Sequence, residues 1–167
     1  MPHPGSAPAV IAELFKRGQT LAVAESLTGG ALAAVLVGVP GASDVFRGGV
    51  VAYQNEVKSH LLGVDRQELD TLGPVTESVA ISMAQGVRTA LESGPESSFG
   101  VATTGVAGPE PDPQTGQPPG LVFIAVAGPE GQVWSERLGL VGDRSQIREA
   151  TVALALGLLE DVLGISA

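Results

Sequence analysis

The chain has no cysteine, and its only histidines and lysines are His3, His60, Lys16 and Lys58. A covalent nucleophile must therefore be a hydroxyl, a carboxylate or an amine. His3 falls in a Pro-rich start, and His60 reads as structural. Lys16 ends a predicted helix in the run KRG, where a solvated cation suits the helix dipole. Lys58 is the lysine to weigh as a base. Its natural partner is Ser26 in AESLTGG, where the apolar run TLAVA stops at a hydroxyl and then two glycines. Such an ending is either a turn or a nucleophile presented beside bare backbone N–H groups. A lysine accepts a serine proton only as the neutral amine, so its ordinary pKa of about 10.4 must be lowered. Burial would do this, or positive charge from Arg144 or Arg148.

Other chemistries lack their signatures. No GK[ST] follows a glycine run, and neither GxGxxG nor GxSxG occurs. No paired histidines stand at metal-ligand spacing. Neither a metal nor a cofactor is expected.

The elements around these residues read as alternating strands and helices. PAVIAELFKRG is helical and stops at Gly18, TLAVAES is a buried strand, and TGGALAAVLVGVPG is a helix capped by the Thr28 hydroxyl. GGVVAYQN is a second strand, and EVKSHLLGV is a short helix carrying Lys58. Asp65 to Pro74 reads as turns, and Thr76 caps a further helix. SSFGVATTG is a third strand. Residues 107 to 120 hold five prolines and form a loop long enough to cover a site. LVFIAVAG and QVWSERLGL, joined by PEG, predict an antiparallel hairpin, and GDRSQIREATVALALGLLEDVLG a long last helix capped by Asp143. AES-LTGG, VVAYQNE and VATTGVAGP all place polar or glycine residues at strand carboxyl ends, the edge where α/β sheets bind ligands. Together they predict a pocket.

Composition supports this frame. With 44% hydrophobic but only 4% aromatic residues, the core must be built from Ala, Val, Leu and Ile, as in an α/β layered fold. The 167 residues suit one domain, 1–167, with residues 1–7 loose. A net charge of −9 disfavours nucleic acid. No signal peptide or membrane span is legible, so the expectation is a cytoplasmic protein. The Ala/Leu-rich last helix offers a face through which a homo-oligomer could form.

In order, AESLTGG, GGVVAYQNEVKSHLLGV, GPVTESVA, TTGVAGP, PPGLVFIAVAG and GDRSQIREATVALAL closely resemble the CinA C-terminal domain family over residues 8 to 164. Characterised members are nicotinamide-nucleotide amidohydrolases. The resemblance implies a three-layer α/β/α sandwich with a mixed, largely parallel sheet. It also implies deamidation of nicotinamide mononucleotide to nicotinate mononucleotide and ammonia in pyridine-nucleotide salvage. The family's serine nucleophile, lysine base and assisting tyrosine fall on Ser26, Lys58 and Tyr53, the last being the only tyrosine. Leu27 stands where AESCTGG is common, which leaves the serine in place and rules out a cysteine nucleophile. Longer relatives carry an amino-terminal ADP-ribose pyrophosphatase domain, for which this chain has no room.

On this reading substrate contacts fall to Thr28, Gly29, Gly30, Asn55, Thr104, Gly105, Ala107, Gly108, Arg144 and Arg148. Backbone N–H groups around Thr28, Gly29 and Gly30, or around Gly105, would hold the oxyanion. Arg144 or Arg148 would hold the phosphate. The competing expectations are a non-catalytic nucleotide-binding or regulatory module linked to competence or DNA damage, and a hydrolase of other small amides.

Overall fold

The computed structural model describes residues 3–91 and 98–165. Within them Leu21–Glu25 (β1), Phe46–Val51 (β2), Phe99–Gly105 (β3), Leu121–Ala127 (β4) and Val133–Gly139 (β5) form a sheet of order β2-β1-β3-β4-β5. β1 pairs in parallel with β2 and β3, whereas β3–β4 and β4–β5 are antiparallel. The sheet is mixed as expected: β1, β2, β3 and β5 run one way and β4 alone the other. The cause is local: no helix separates β3 from β4 to carry the chain back, and the short PEG turn between β4 and β5 permits only a hairpin.

The helices are Ala7–Arg17 (α1), Ala31–Val37 (α2), Asn55–Leu62 (α3), Arg66–Leu72 (α4), Glu77–Ala90 (α5) and Arg144–Leu163 (α6). α1, α2 and α6 cover one face of the sheet, and α3, α4 and α5 the other. Strand alternation feeds both cores: β1 sends Leu21 and Val23 one way and Ala22 and Ala24 the other. The face under α5 is lined by small residues, Ala22, Ala24, Ala102, Ala125 and Ala127. A long helix can therefore lie close to it. The Thr76 hydroxyl caps α5 through Val79 N, and Asp143 caps α6 in a capping box with Gln146, both as expected.

Two expectations change. Residues 66–72, expected as turns, are α4, because the Asp65 carboxylate caps the segment through Gln67 N and Leu69 anchors it in the core. The start of the chain is docked from His3 onward instead of loose, with Met1 and Pro2 outside the described residues. Gly5 N donates to Ala153 O at 2.8 Å and Ser6 N to Glu160 Oε1 at 2.9 Å, while the His3 ring lies against Glu160 and Asp161. Gly5 and Gly157 let the two main chains touch, and a Cβ on either would strike the other segment. The apolar residues of α6, from Ile147 to Leu163, are mostly buried within the chain itself. They form part of the chain's own core.

Candidate active site

Because β1, β2 and β3 are parallel, their carboxyl ends share one edge. Ser26 follows β1, Ala52 and Tyr53 follow β2, and Thr104 and Gly105 close β3. A cleft there is lined by Ser26, Leu27, Tyr53, Lys58, Thr104, Gly105 and Arg144, together with Pro74–Val75 and loop residues 106–108 and 110–113. The edge predicted to form a pocket forms one.

Lys58 comes from the other side of the sheet. In the short helix α3 its position aligns with Leu62 one turn later, and both point inward. A lysine thus occupies a core position, 1% exposed. Its Nζ lies 3.0 Å from Ser26 Oγ, 2.7 Å from the Ala52 carbonyl oxygen and 3.1 Å from that of Tyr53. Among the described residues no carboxylate stands within ion-pair distance of it. Burial alone lowers its pKa from 10.5 to about 8, so neighbouring positive charge is not needed. As an ammonium Lys58 donates one N–H to each of these three oxygens; once deprotonated, the amine can keep both carbonyl bonds and turn its lone pair to the Ser26 hydroxyl.

The glycine turn behaves differently from expectation. Gly29 and Gly30 adopt φ of 61° and 97°, left-handed values that favour glycine, and lead into α2 without a side-chain cap at Gly30. Thr28 does not cap this helix, since its hydroxyl bonds Thr103 Oγ1 at 2.8 Å inside the protein. The cap is Glu25. Its buried carboxylate accepts from Gly30 N and Leu32 N at 3.0 Å and from Ala33 N at 2.8 Å. With Gly29 N donating to Ser26 O at 3.1 Å, the N–H groups of both glycines are occupied. The start of α2 is therefore closed to an external anion.

The two arginines part company. Arg144 donates from Nη1 to Gly108 O at 2.6 Å and from Nη2 to Tyr53 Oη at 3.1 Å, tying the loop after β3 to the tyrosine across the cleft mouth. Arg148 reaches away, donating to the carbonyls of Leu27 and Thr28. Tyr53 is 56% exposed; its phenol meets Arg144, while its main-chain carbonyl meets Lys58. Thr104 lines the cleft, though its hydroxyl donates to Pro74 O at 2.7 Å. Gly105, Ala107 and Gly108 also line it, but Thr28, Gly29, Gly30, Asn55 and Arg148 do not. His60 is exposed on α3, away from the cleft lining.

Residues 5–163 match the CinA C-terminal domain. The chain belongs to that family. It is 48% identical over 154 residues to a CinA-like protein of Frankia casuarinae, covering 92% of this chain and 34% of that protein. For a CinA-like protein of Gloeobacter violaceus the figures are 50% over 155 residues, 92% and 35%. The chain thus spans about a third of the length of these relatives. Among solved structures it superposes on the competence/damage-inducible protein CihA of Agrobacterium tumefaciens with a TM-score of 0.85, at 34% identity over 95% of this chain and 93% of that one. A CinA-superfamily protein of Klebsiella pneumoniae gives 0.87, at 30% identity over 95% of each chain. The mixed sheet covered on both faces is this superfamily's fold. Among the described residues, no helix is long and apolar enough to cross a membrane.

Sequence reasoning missed three contributors to the CinA-type site: Glu25 as cap, the Ala52 carbonyl as an amine acceptor, and Glu110 in the cleft lining. Glu25 had a legible signal, since a carboxylate precedes a glycine turn whose helix supplies no cap of its own. The Ala52 carbonyl had none, because main-chain acceptors carry no residue code.

Proposed function

We propose that this cleft hydrolyses the carboxamide of nicotinamide mononucleotide by a Ser–Lys acyl-enzyme mechanism, giving nicotinate mononucleotide and ammonia. The observation that carries the reading is the buried Lys58 amine, unpaired with any carboxylate among the described residues, 3.0 Å from Ser26 Oγ. Ser26 Oγ attacks the amide carbon while Lys58 Nζ takes its proton, and the carbonyl electron pair moves onto oxygen. As the tetrahedral intermediate collapses, the C–N bond breaks and the Lys58 ammonium returns the proton to the departing nitrogen, releasing ammonia. Water then attacks the ester with Lys58 again as base, which frees the acid and restores Ser26. Tyr53, fixed by Arg144, orients the substrate at the mouth.

The cleft's charges suit a zwitterionic nucleotide. Arg144 lies in the lining and Arg148 does not, which favours Arg144 for the phosphate. Glu110 on the covering loop supplies a carboxylate for the cationic pyridinium ring. The test is ammonia release from the mononucleotide by purified protein. Ser26→Ala and Lys58→Ala should each lower kcat by at least about 10³-fold, and Arg144→Ala should chiefly raise KM. Turnover near normal in Ser26→Ala rejects the mechanism. Thermal stabilisation by the nucleotide without ammonia release points instead to a binding or regulatory module.

A further inference from the structure

Arg144 and Arg148 leave α6 one turn apart, yet only Arg144 lines the cleft. Arg148 turns to the segment after Ser26, where Nε donates to Leu27 O at 2.9 Å and Nη2 to Thr28 O at 3.0 Å. A planar guanidinium that binds two successive carbonyls fixes both peptide planes. In a trans peptide the C=O and the next N–H point in opposite directions. The Thr28 N–H, which shares its peptide with the Leu27 carbonyl, is thereby aimed away from Arg148. The Gly29 N–H, which shares its peptide with the Thr28 carbonyl, donates back to Ser26 O at 3.1 Å. That bond in turn aims the Leu27 N–H away from Gly29.

Among the described residues, neither the Leu27 nor the Thr28 N–H donates to any acceptor. Both residues are buried, at 4% and 0% exposure. Buried main-chain donors without partners are rare, so two in succession directly after a nucleophile call for an acceptor that the folded chain does not supply. The turn also divides two spaces. Ser26 and Leu27 line the cleft, whereas Arg148 lines a separate groove with Ala31, Val35 and Val152.

We propose that Arg148 is a positioning residue, whose clamp on the Leu27 and Thr28 carbonyls fixes the turn so that the N–H of Leu27, the residue of the pair that lines the cleft, is presented to the oxyanion that forms when Ser26 attacks. The inference rests on the amidase reading. It assigns to Arg148 a task on the transition state instead of the phosphate.

The test uses Arg148→Met, which keeps the apolar stem and removes the donors, and Arg148→Lys, which keeps the stem and a single cation. Ammonia release is followed from nicotinamide mononucleotide and from the phosphate-free riboside. For Arg148→Met the expected result is a fall in kcat of about 10²-fold, with KM changed less than about threefold and the same loss on both substrates. Arg148→Lys should lose less. If the Met variant does not fold, the Lys variant is read alone, and a kcat equal to the parent's overturns the inference. A loss confined to the phosphorylated substrate, or appearing in KM alone, also overturns it. A second readout is independent of turnover. Pyridine-3-carbaldehyde, by adding Ser26 Oγ to its carbonyl carbon and the hydroxyl proton to its oxygen, forms a hemiacetal. This should shift the Leu27 amide signal in the parent protein and not in Arg148→Met; an unmoved signal in the parent refutes the donor assignment. Absence of ammonia release by the parent protein from either substrate would sink the amidase reading itself, a result distinguishable from both.

Discussion

A buried lysine with a lowered pKa must leave a mark on stability as well as on catalysis. Lys58 falls from 10.5 to about 8 because burial disfavours its ammonium form. Each tenfold change in proton affinity is about 1.4 kcal/mol, so the folded state carries a penalty of about 3 kcal/mol when the amine is charged. The sign is the reverse of the usual lysine case. Below about pH 8 both folded and unfolded chains hold the proton and the penalty is complete. Between about 8 and 10.5 the folded chain releases its proton first, so stability rises with pH; above 10.5 the penalty is gone. From pH 7 to pH 9.5 the gain is about 2 kcal/mol. The assay is urea unfolding of the parent and of Lys58→Met across that range. The substitution leaves the Ala52 and Tyr53 carbonyls without a donor, but that loss does not titrate and cancels from the pH dependence of the difference. In the parent, kcat/KM should rise with pH to a plateau above about 8, as the neutral amine becomes the resident form. A stability difference between the two proteins that stays flat from pH 7 to 9.5 would refute the buried-amine account.

Glu25→Ala strips three main-chain donors of their carboxylate and should cost about 3 kcal/mol in urea unfolding, with kcat reduced because the Ser26 turn loses its anchor. Glu25→Gln, which keeps one acceptor, should fall between. A Cβ at Gly86 would run into the Leu62 carbonyl at the end of α3, the helix that carries Lys58. Gly86→Ala should therefore lower both the melting temperature and kcat; an unchanged kcat would show that the helix tolerates displacement. His3 has its pKa raised first by its bond to the Pro4 carbonyl, then by Asp161 and Glu160. Its contribution to stability is complete below the ordinary value of 6.5 and is lost as pH rises through the higher folded pKa, so melting temperatures of the parent and His3→Ala should converge at high pH.

What the sequence disclosed follows from what side-chain types can encode. Elimination isolated Lys58, because so few bases were available, and the pattern placed it on a short helix after the second strand, but only the fold brings it beside Ser26 at the end of the first. Asp143 and Thr76 were legible as caps because each directly precedes its helix. Asp65 was hidden among turn-forming residues, and Glu25, although a carboxylate before a glycine turn, went unread as a cap because it acts from inside a strand, five residues before the first N–H it binds. The docking of residues 3–7 depends on two glycines 152 positions apart, Gly5 and Gly157, and no local pattern reports such a pair. The separation of Arg144 from Arg148 was equally hidden: spacing put them on one side of α6, but their partners lie on different segments.

The motif AESLTGG shows how a plausible anion cradle can be internal. A hydroxyl followed by two glycines and a helix start has the composition of an oxyanion or phosphate site. Glu25 already fills the end of that helix with a carboxylate, so a substrate phosphate placed there would meet like charge instead of free donors. Substrate charge must then be met elsewhere on the rim, and among the described residues Arg144 is the only arginine in the cleft lining. Withdrawing the helix end from binding also has a constructive effect. Glu25 on one side and Arg148 on the other fix the turn that carries Ser26, so the nucleophile is held by main-chain contacts that need not change when substrate enters. A carboxylate beside the nucleophile thus acts as a structural anion, and an arginine that reads as a phosphate ligand holds the peptide planes behind the nucleophile.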